Sequence, residues 1–147
     1  MTHHILVVDD ENTLRHFLRL TLQDQGYQVT DAADGQTALR LINTNTFDVA
    51  LIDLRLTDMD GLDIVRKLRQ VAPQTSVIIL TAYASLDSSI EALRQGAHDY
   101  LIKPFETAED MQTIQHRLLG ELSLLEDPVK AIRNPATYPV EFREDSD

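Results

Sequence analysis

Ile5-Leu6-Val7-Val8-Asp9-Asp10 is an unbroken apolar run that ends in two carboxylates. Such a run, rich in β-branched residues, suits a strand buried on both faces of a parallel sheet. Open α/β sheets bind ligands beyond the C-terminal ends of their strands. Asp9 and Asp10 therefore stand where a ligand site would form.

Four more short runs follow: Tyr27–Thr30, Phe47–Ile52, Val77–Leu80 and Tyr100–Ile102. The third and fourth of the five are nearly continuous in apolar character, as buried parallel strands are. The second alternates, as an edge strand would. Helical patterns fill the gaps. Leu14, Phe17, Leu18, Thr21 and Leu22 form a stripe that Gly26 ends. Ala38, Leu39 and Ile42 follow Asp34-Gly35, and Leu62, Val65 and Leu68 lie between Gly61 and Pro73. Ile90 and Leu93 precede Gly96, and Met111, Ile114 and Leu118 mark a last helix that Leu122 extends. Strand and helix alternate five times. This order implies an α/β fold, with a parallel sheet, helices on both faces and right-handed crossovers.

The chain has 147 residues, enough for one domain of about residues 3–120. Residues 121–147 read as a short helical extension, then an extended or disordered tail with three prolines and an acidic end. No apolar run approaches the ~20 residues that span a bilayer. The start of the sequence resembles neither a signal peptide nor a transit peptide. There is no cysteine, so thiol catalysis, disulfides and Cys-based zinc sites are excluded, which fits a cytoplasmic setting. The formal net charge of −11 argues against direct nucleic-acid binding, which draws on clustered Lys and Arg.

The polar residues after the apolar runs are Asp9-Asp10, Asp53, Thr81 and Lys103-Pro104. If the first, third, fourth and fifth strands are neighbours, these side chains converge. Three carboxylates at one place repel each other, and a hard cation such as Mg²⁺ with oxygen ligands relieves that. A lysine and a threonine beside them cradle an anionic oxygen. Together they describe a carboxylate nucleophile for a phosphorus centre, with an acyl phosphate as product. Each residue also has a plainer reading. Asp9-Asp10 alone reads as a helix cap, Asp53 and Thr81 as loop residues and Lys103 as a solvated lysine. The five histidines show no metal-binding spacing on one element. It is the combination across four strand ends that points to chemistry.

These motifs resemble the receiver domains of two-component response regulators. The matching segments are Ile5–Glu11, Asp53–Gly61, Leu80–Tyr83 and Gly96–Phe105. Leu80–Phe105 is especially similar to the receivers of enhancer-binding transcription activators. The resemblance implies a flavodoxin-like sheet in the order 2-1-3-4-5 with five helices. It implies phosphorylation of Asp53 by a histidine kinase or phosphotransfer protein. Mg²⁺ would be held by Asp10, by Asp9 directly or through water, by Asp53 and by the backbone carbonyl of Arg55. Lys103 would pair with the phosphoryl oxygens and Thr81 would follow the group inward. Tyr100 resembles the aromatic switch, with Tyr83 as the other candidate ring. The Lys103-Pro104 peptide would be cis.

The same resemblance implies a surface of the fourth helix, fifth strand and fifth helix for an effector or a homodimer. Leu122 and Leu125 read as residues for a partner helix. Arg15, His16 and Arg19 would face the kinase. Two departures stand out: Thr57 occupies the place of a proline, and Arg55 overhangs the phosphoryl position. A phosphohydrolase with an aspartate nucleophile is the rival enzyme reading. It needs an Asp two residues beyond the nucleophile, where Asp53 is followed by Arg55 and Asp9 by Glu11. A third reading, a degenerate receiver serving only as a binding module, sits poorly with the intact acidic trio, Thr81 and Lys103.

Overall fold

The computed structural model describes residues 2–103 and 107–126, with side chains as far as Leu122. Its elements alternate as β1 (His4–Val8), α1 (Asn12–Asp24), β2 (Gln28–Ala32), α2 (Gly35–Thr44), β3 (Val49–Asp53), α3 (Gly61–Val71), β4 (Ser76–Thr81), α4 (Leu86–Arg94), β5 (Asp99–Ile102) and α5 (Ala108–Glu126). All strand pairs are parallel, in the order β2-β1-β3-β4-β5. The alternating second run is indeed an edge strand.

The pleat divides the core in two. Leu6, Val8, Ala50, Ile52, Val77 and Ile79 face α2, α3 and α4, where Ala38, Leu62, Val65, Leu68 and Ala92 meet them. Ile5, Val7, Val49, Leu51, Ile78 and Leu80 face α1 and α5, covered by Leu14, Leu18, Leu22, Met111, Ile114 and Leu118. Side chains of one strand alternate between these clusters because successive Cβ atoms point to opposite faces. β3 and β4 are buried along their whole length, so they carry no polar face. Gly26 and Gly96 follow α1 and α4 with φ of +96° and +109°, the left-handed conformation that ends a helix at least cost in glycine.

Three expectations change. On α4 the buried residue is Ala92, while Ile90 is 38% exposed and Leu93 half-buried. That helix lies toward the β5 edge and buries a small residue there. On α5, Leu122 is 3% exposed and packs into the cluster under α1, so it is core and not a partner-facing residue. α5 continues past residue 120 to Glu126, in the stretch expected to hold a helical extension. Finally, Arg15 is 8% exposed and does not belong to the surface with His16. The Lys103-Pro104 peptide, the side chain of Leu125 and the tail beyond Glu126 lie outside the described residues.

Candidate functional site

The register brings the strand ends together. Val8 pairs with Ile52, Asp53 with Leu80, and Thr81 with Ile102. Asp9 and Asp10 leave β1, Asp53 ends β3, Thr81 ends β4 and Lys103 follows β5. The order of strands makes these four ends consecutive, and so they share one rim.

Carboxylate oxygens of Asp9, Asp10 and Asp53 lie within 4.8 Å of one another. Asp9 is fully buried and Asp53 is 5% exposed, whereas Asp10 is half-buried. Lys103 reaches between them. Its Nζ is 2.8 Å from Asp9 Oδ2 and 3.0 Å from Asp53 Oδ2, with Glu11 Oε1 farther off at 3.4 Å. The ammonium thus serves as an internal counter-charge. Burial alone would lower its pKa, but Asp9, and after it Asp53, outweigh that and raise it above the ordinary lysine value. Burial raises the Asp53 carboxyl, with bonds from Lys103 and the Arg55 amide pulling the other way.

Two of the carboxylates are oriented by backbone. Asp9 Oδ1 accepts the Glu11 N–H at 2.8 Å, and Asp53 Oδ1 accepts the Arg55 N–H at 3.1 Å. The Asp9-Asp10 pair does not supply the cap of α1: Glu11 stands at the cap position, without a side-chain cap bond. Asp9 Oδ2 is buried and receives no well-aligned hydrogen bond; its neighbour is the Lys103 charge. A buried, under-bonded oxygen in an all-carboxylate group fits a hard divalent cation, which takes oxygen ligands and tolerates crowding of negative charge. This acidic triad is of the kind that forms receiver metal sites.

The remaining residues flank the rim. Thr81 is fully buried and its Oγ1 accepts the Tyr83 N–H at 3.0 Å. Tyr83 is 60% exposed, and the Arg55 guanidinium stacks on its ring 4.2 Å from the centroid. Arg55 is therefore drawn toward the β4–α4 loop. Tyr100 is half-buried and its hydroxyl meets Ser88 Oγ at 2.7 Å. Gly61 closes the loop after β3: a Cβ there would lie 2.2 Å from the Asp53 carbonyl oxygen, which no side chain can accommodate. A groove of about 500 Å³ runs beside the rim, among Arg55, Asp58, Met59, Thr81, Tyr83 and Ser88.

Arg15 is the residue that sequence reasoning misplaced. Its NH1 donates to the Asp9 carbonyl at 2.8 Å and its Nε to Asp31 Oδ2 at 2.8 Å. It braces the backbone between β1 and the two carboxylates from behind. A signal existed: Arg15, Leu18 and Leu22 fall at i, i+3 and i+7, on the buried side of α1.

The family model described as response regulator receiver domain matches residues 5–115. The regulatory protein AtoC of Escherichia coli (strain K12) is 40% identical over 116 residues, which are 79% of this chain and 25% of AtoC. It is among the enhancer-binding activators whose receivers Leu80–Phe105 resembles. This chain thus spans about a quarter of the length of that relative. Among solved structures, the CheY-like receiver domain protein from Methanospirillum hungatei JF-1 aligns with a TM-score of 0.75 at 31% identity, covering 84% of this chain and 98% of that one. A response regulator protein from Burkholderia pseudomallei, solved with a phosphorylated aspartic acid, a calcium ion and citrate, aligns at 0.68 with 27% identity over 80% and 74% of the two chains. Receivers are phosphoacceptor switches rather than conventional enzymes. With a family match over most of its length and a sheet, rim and acidic triad of the same kind, this chain belongs to the response regulator receiver domain family.

Proposed function

We propose that Asp53 accepts a phosphoryl group and that Asp9, Asp10 and the Arg55 carbonyl complete a Mg²⁺ site beside it. The observation that carries this reading is the cluster itself: three carboxylates within 4.8 Å, with Lys103 Nζ in ion-pairing distance of two of them. When bound, Mg²⁺ would offset carboxylate repulsion and draw charge from the equatorial phosphoryl oxygens. An Asp53 oxygen attacks phosphorus in line as the phosphorus–nitrogen bond of a phosphohistidine breaks. The nitrogen keeps the bonding electrons and takes up a proton. Lys103 pairs with a phosphoryl oxygen, and the Thr81 hydroxyl donates to another in exchange for its bond with the Tyr83 amide. The phosphorylated aspartate in the Burkholderia pseudomallei relative supports the same product here.

Receivers generally partner with histidine kinases. In this chain the donor would be such a kinase or a phosphotransfer protein, in the cytoplasm, and the responder an effector protein or domain. No helix among the described residues is long and apolar enough to cross a membrane. Thr81 and Tyr100 would shift together to change the α4–β5–α5 surface. That surface shows Leu86, Ile90, Ile102 and Leu119 to solvent, which supports docking or homodimer formation there.

The test is intact mass after incubation with Mg²⁺ and acetyl phosphate. The wild type should gain one phosphoryl group, Asp53→Asn should gain none, and chelation of Mg²⁺ should prevent labelling. A wild type that never gains mass, and whose spectra beryllofluoride leaves unchanged, would sink the proposal.

A further inference from the structure

The loop after β3 carries Arg55, whose amide orients Asp53. It is folded as a small hairpin: Gly61 N–H donates to the Leu54 carbonyl at 2.8 Å, Leu56 N–H to the Met59 carbonyl at 3.3 Å, and Arg55 pairs with Asp60. Its base is secured by the Asp60 carboxylate, which accepts the Leu62 amide at the start of α3. Thr57 stands at the tip, at the place the resemblance usually assigns to a proline, so φ there is not fixed by a ring.

The tip is held in another way. Asp58 accepts the Gly35 N–H on Oδ1 at 2.8 Å and the Gln36 N–H on Oδ2 at 3.0 Å. Both carboxylate oxygens are thus engaged by the first turn of α2, the helix beside α3 on the same face of the sheet. Met59 follows it onto the same helix end: a Cβ on Gly35 would lie 2.3 Å from Met59 Cγ. Asp34 already accepts the Thr37 amide at 2.8 Å as the cap of α2, and Asp58 takes two further amides of the same first turn. The engagement therefore ties the loop to α2 as well as completing that helix end. A carboxylate at a helix N-terminus also meets the positive end of the helix dipole.

We propose that Asp58 is a positioning residue of the phosphorylation pocket: clamped across the Gly35 and Gln36 amides, it fixes the loop that sets the Arg55 backbone and, through it, Asp53. The clamp takes the place of a proline ring at residue 57. This rests on the reading of Asp53 and the Arg55 carbonyl given above. A residue that merely caps α2 would affect stability alone, whereas the clamp also affects metal affinity.

The experiment compares Mg²⁺ affinity, acetyl phosphate labelling rate and melting temperature across wild type, Asp58→Ala and the double variant Thr57→Pro/Asp58→Ala. Asp58→Ala should weaken Mg²⁺ binding about tenfold and slow labelling to match, the low end of what loss of an outer-shell partner costs. Thr57→Pro in that background should recover most of the affinity without recovering the stability lost at α2. If the wild type binds Mg²⁺ and Asp58→Ala binds it equally well, the clamp is overturned while the pocket reading stands. If Thr57→Pro restores nothing, the loss belongs to α2 and the clamp is again overturned. A wild type that binds no Mg²⁺ and takes no phosphoryl group removes both readings together.

Discussion

The hydroxyl of Tyr100 on β5 meets the hydroxyl of Ser88 on α4 at 2.7 Å, in a fold where the ring packs only partly against the core. This bond ties the ring to α4 and would oppose the inward movement proposed for Tyr100. Removing it as Tyr100→Phe should favour the inward ring. One hydroxyl bond contributes about 0.5–1.5 kcal/mol, so beryllofluoride should bind roughly two- to tenfold more tightly. Ser88→Ala is the less clean test, because Ser88 also completes the capping box with Ser85. Titration monitored by NMR would measure the change; unchanged or weaker binding by Tyr100→Phe would contradict the tether.

Arg15 predicts a stability effect that a kinase-facing arginine would not show. Its bonds to the Asp9 carbonyl and Asp31 are nearly excluded from water. Among the described residues, Arg15→Gln leaves Asp31 its ion pair with Arg19, at 3.2 Å. Breaking a buried ion pair costs about 3–5 kcal/mol, and the surviving Arg19 contact points to the low end. Urea denaturation should show that loss, and Mg²⁺ affinity should fall with it. A variant as stable as wild type would return Arg15 to a surface role.

Glu121 makes stability depend on pH. It is 8% exposed on α5. Burial, then the charge of Asp99, pushes its carboxyl up to about 7, and a bond from Ser76 pulls the other way. The folded value exceeds the unfolded value of 4.5, so the folded state holds the proton more tightly. That contribution is full below about pH 4.5 and is lost as pH rises through about 7. The upper bound is on the order of 3 kcal/mol. Glu121→Gln should match wild type near pH 4 and exceed it near pH 8. His98, held down to about 4 by desolvation and then by Arg69, gives the opposite slope in acid, and it cancels in the difference between the two proteins. Parallel stability curves from pH 4 to 8 would exclude the effect.

Gly120 interrupts an otherwise ordinary helix interior. A Cβ at that position would meet nothing within 4 Å. Gly120→Ala should therefore stabilise by about 0.5–1 kcal/mol, by reducing the freedom of the unfolded chain and improving helix propensity. Thermal unfolding would register it as a rise of a few degrees, and a fall would reveal a neighbour that α5 meets at Gly120.

Much of this molecule was legible as sequence because its information is local. Apolar runs such as Ile5–Val8 and Val77–Leu80 announce buried strands by themselves, and the carboxylates sit at their ends. What escaped depends on distance along the chain. Asp58 reaches Gly35 across 23 residues and Arg15 reaches Asp31 across 16; the spacing of Arg15 shows that it is buried but does not name its partner. On α4 the larger Ile90 was favoured over Ala92, since hydrophobicity says nothing of how closely a helix approaches a sheet edge. Leu122 reads as a residue for a partner helix because the sequence does not show how far α5 runs beneath α1, where the side chain is buried.

The order of the strands has one more consequence. Asp9, Asp53, Thr81 and Lys103 come from β1, β3, β4 and the end of β5, the last of the described strands to leave the ribosome. The counter-charge that lies between Asp9 and Asp53 is therefore supplied after both of them. A chain still being synthesised, or clipped before residue 103, holds acidic residues but no assembled pocket. On the role proposed for Asp53, such an unfinished copy would lack the Lys103 counter-charge and would be a poor rival of finished copies for a phosphoryl donor.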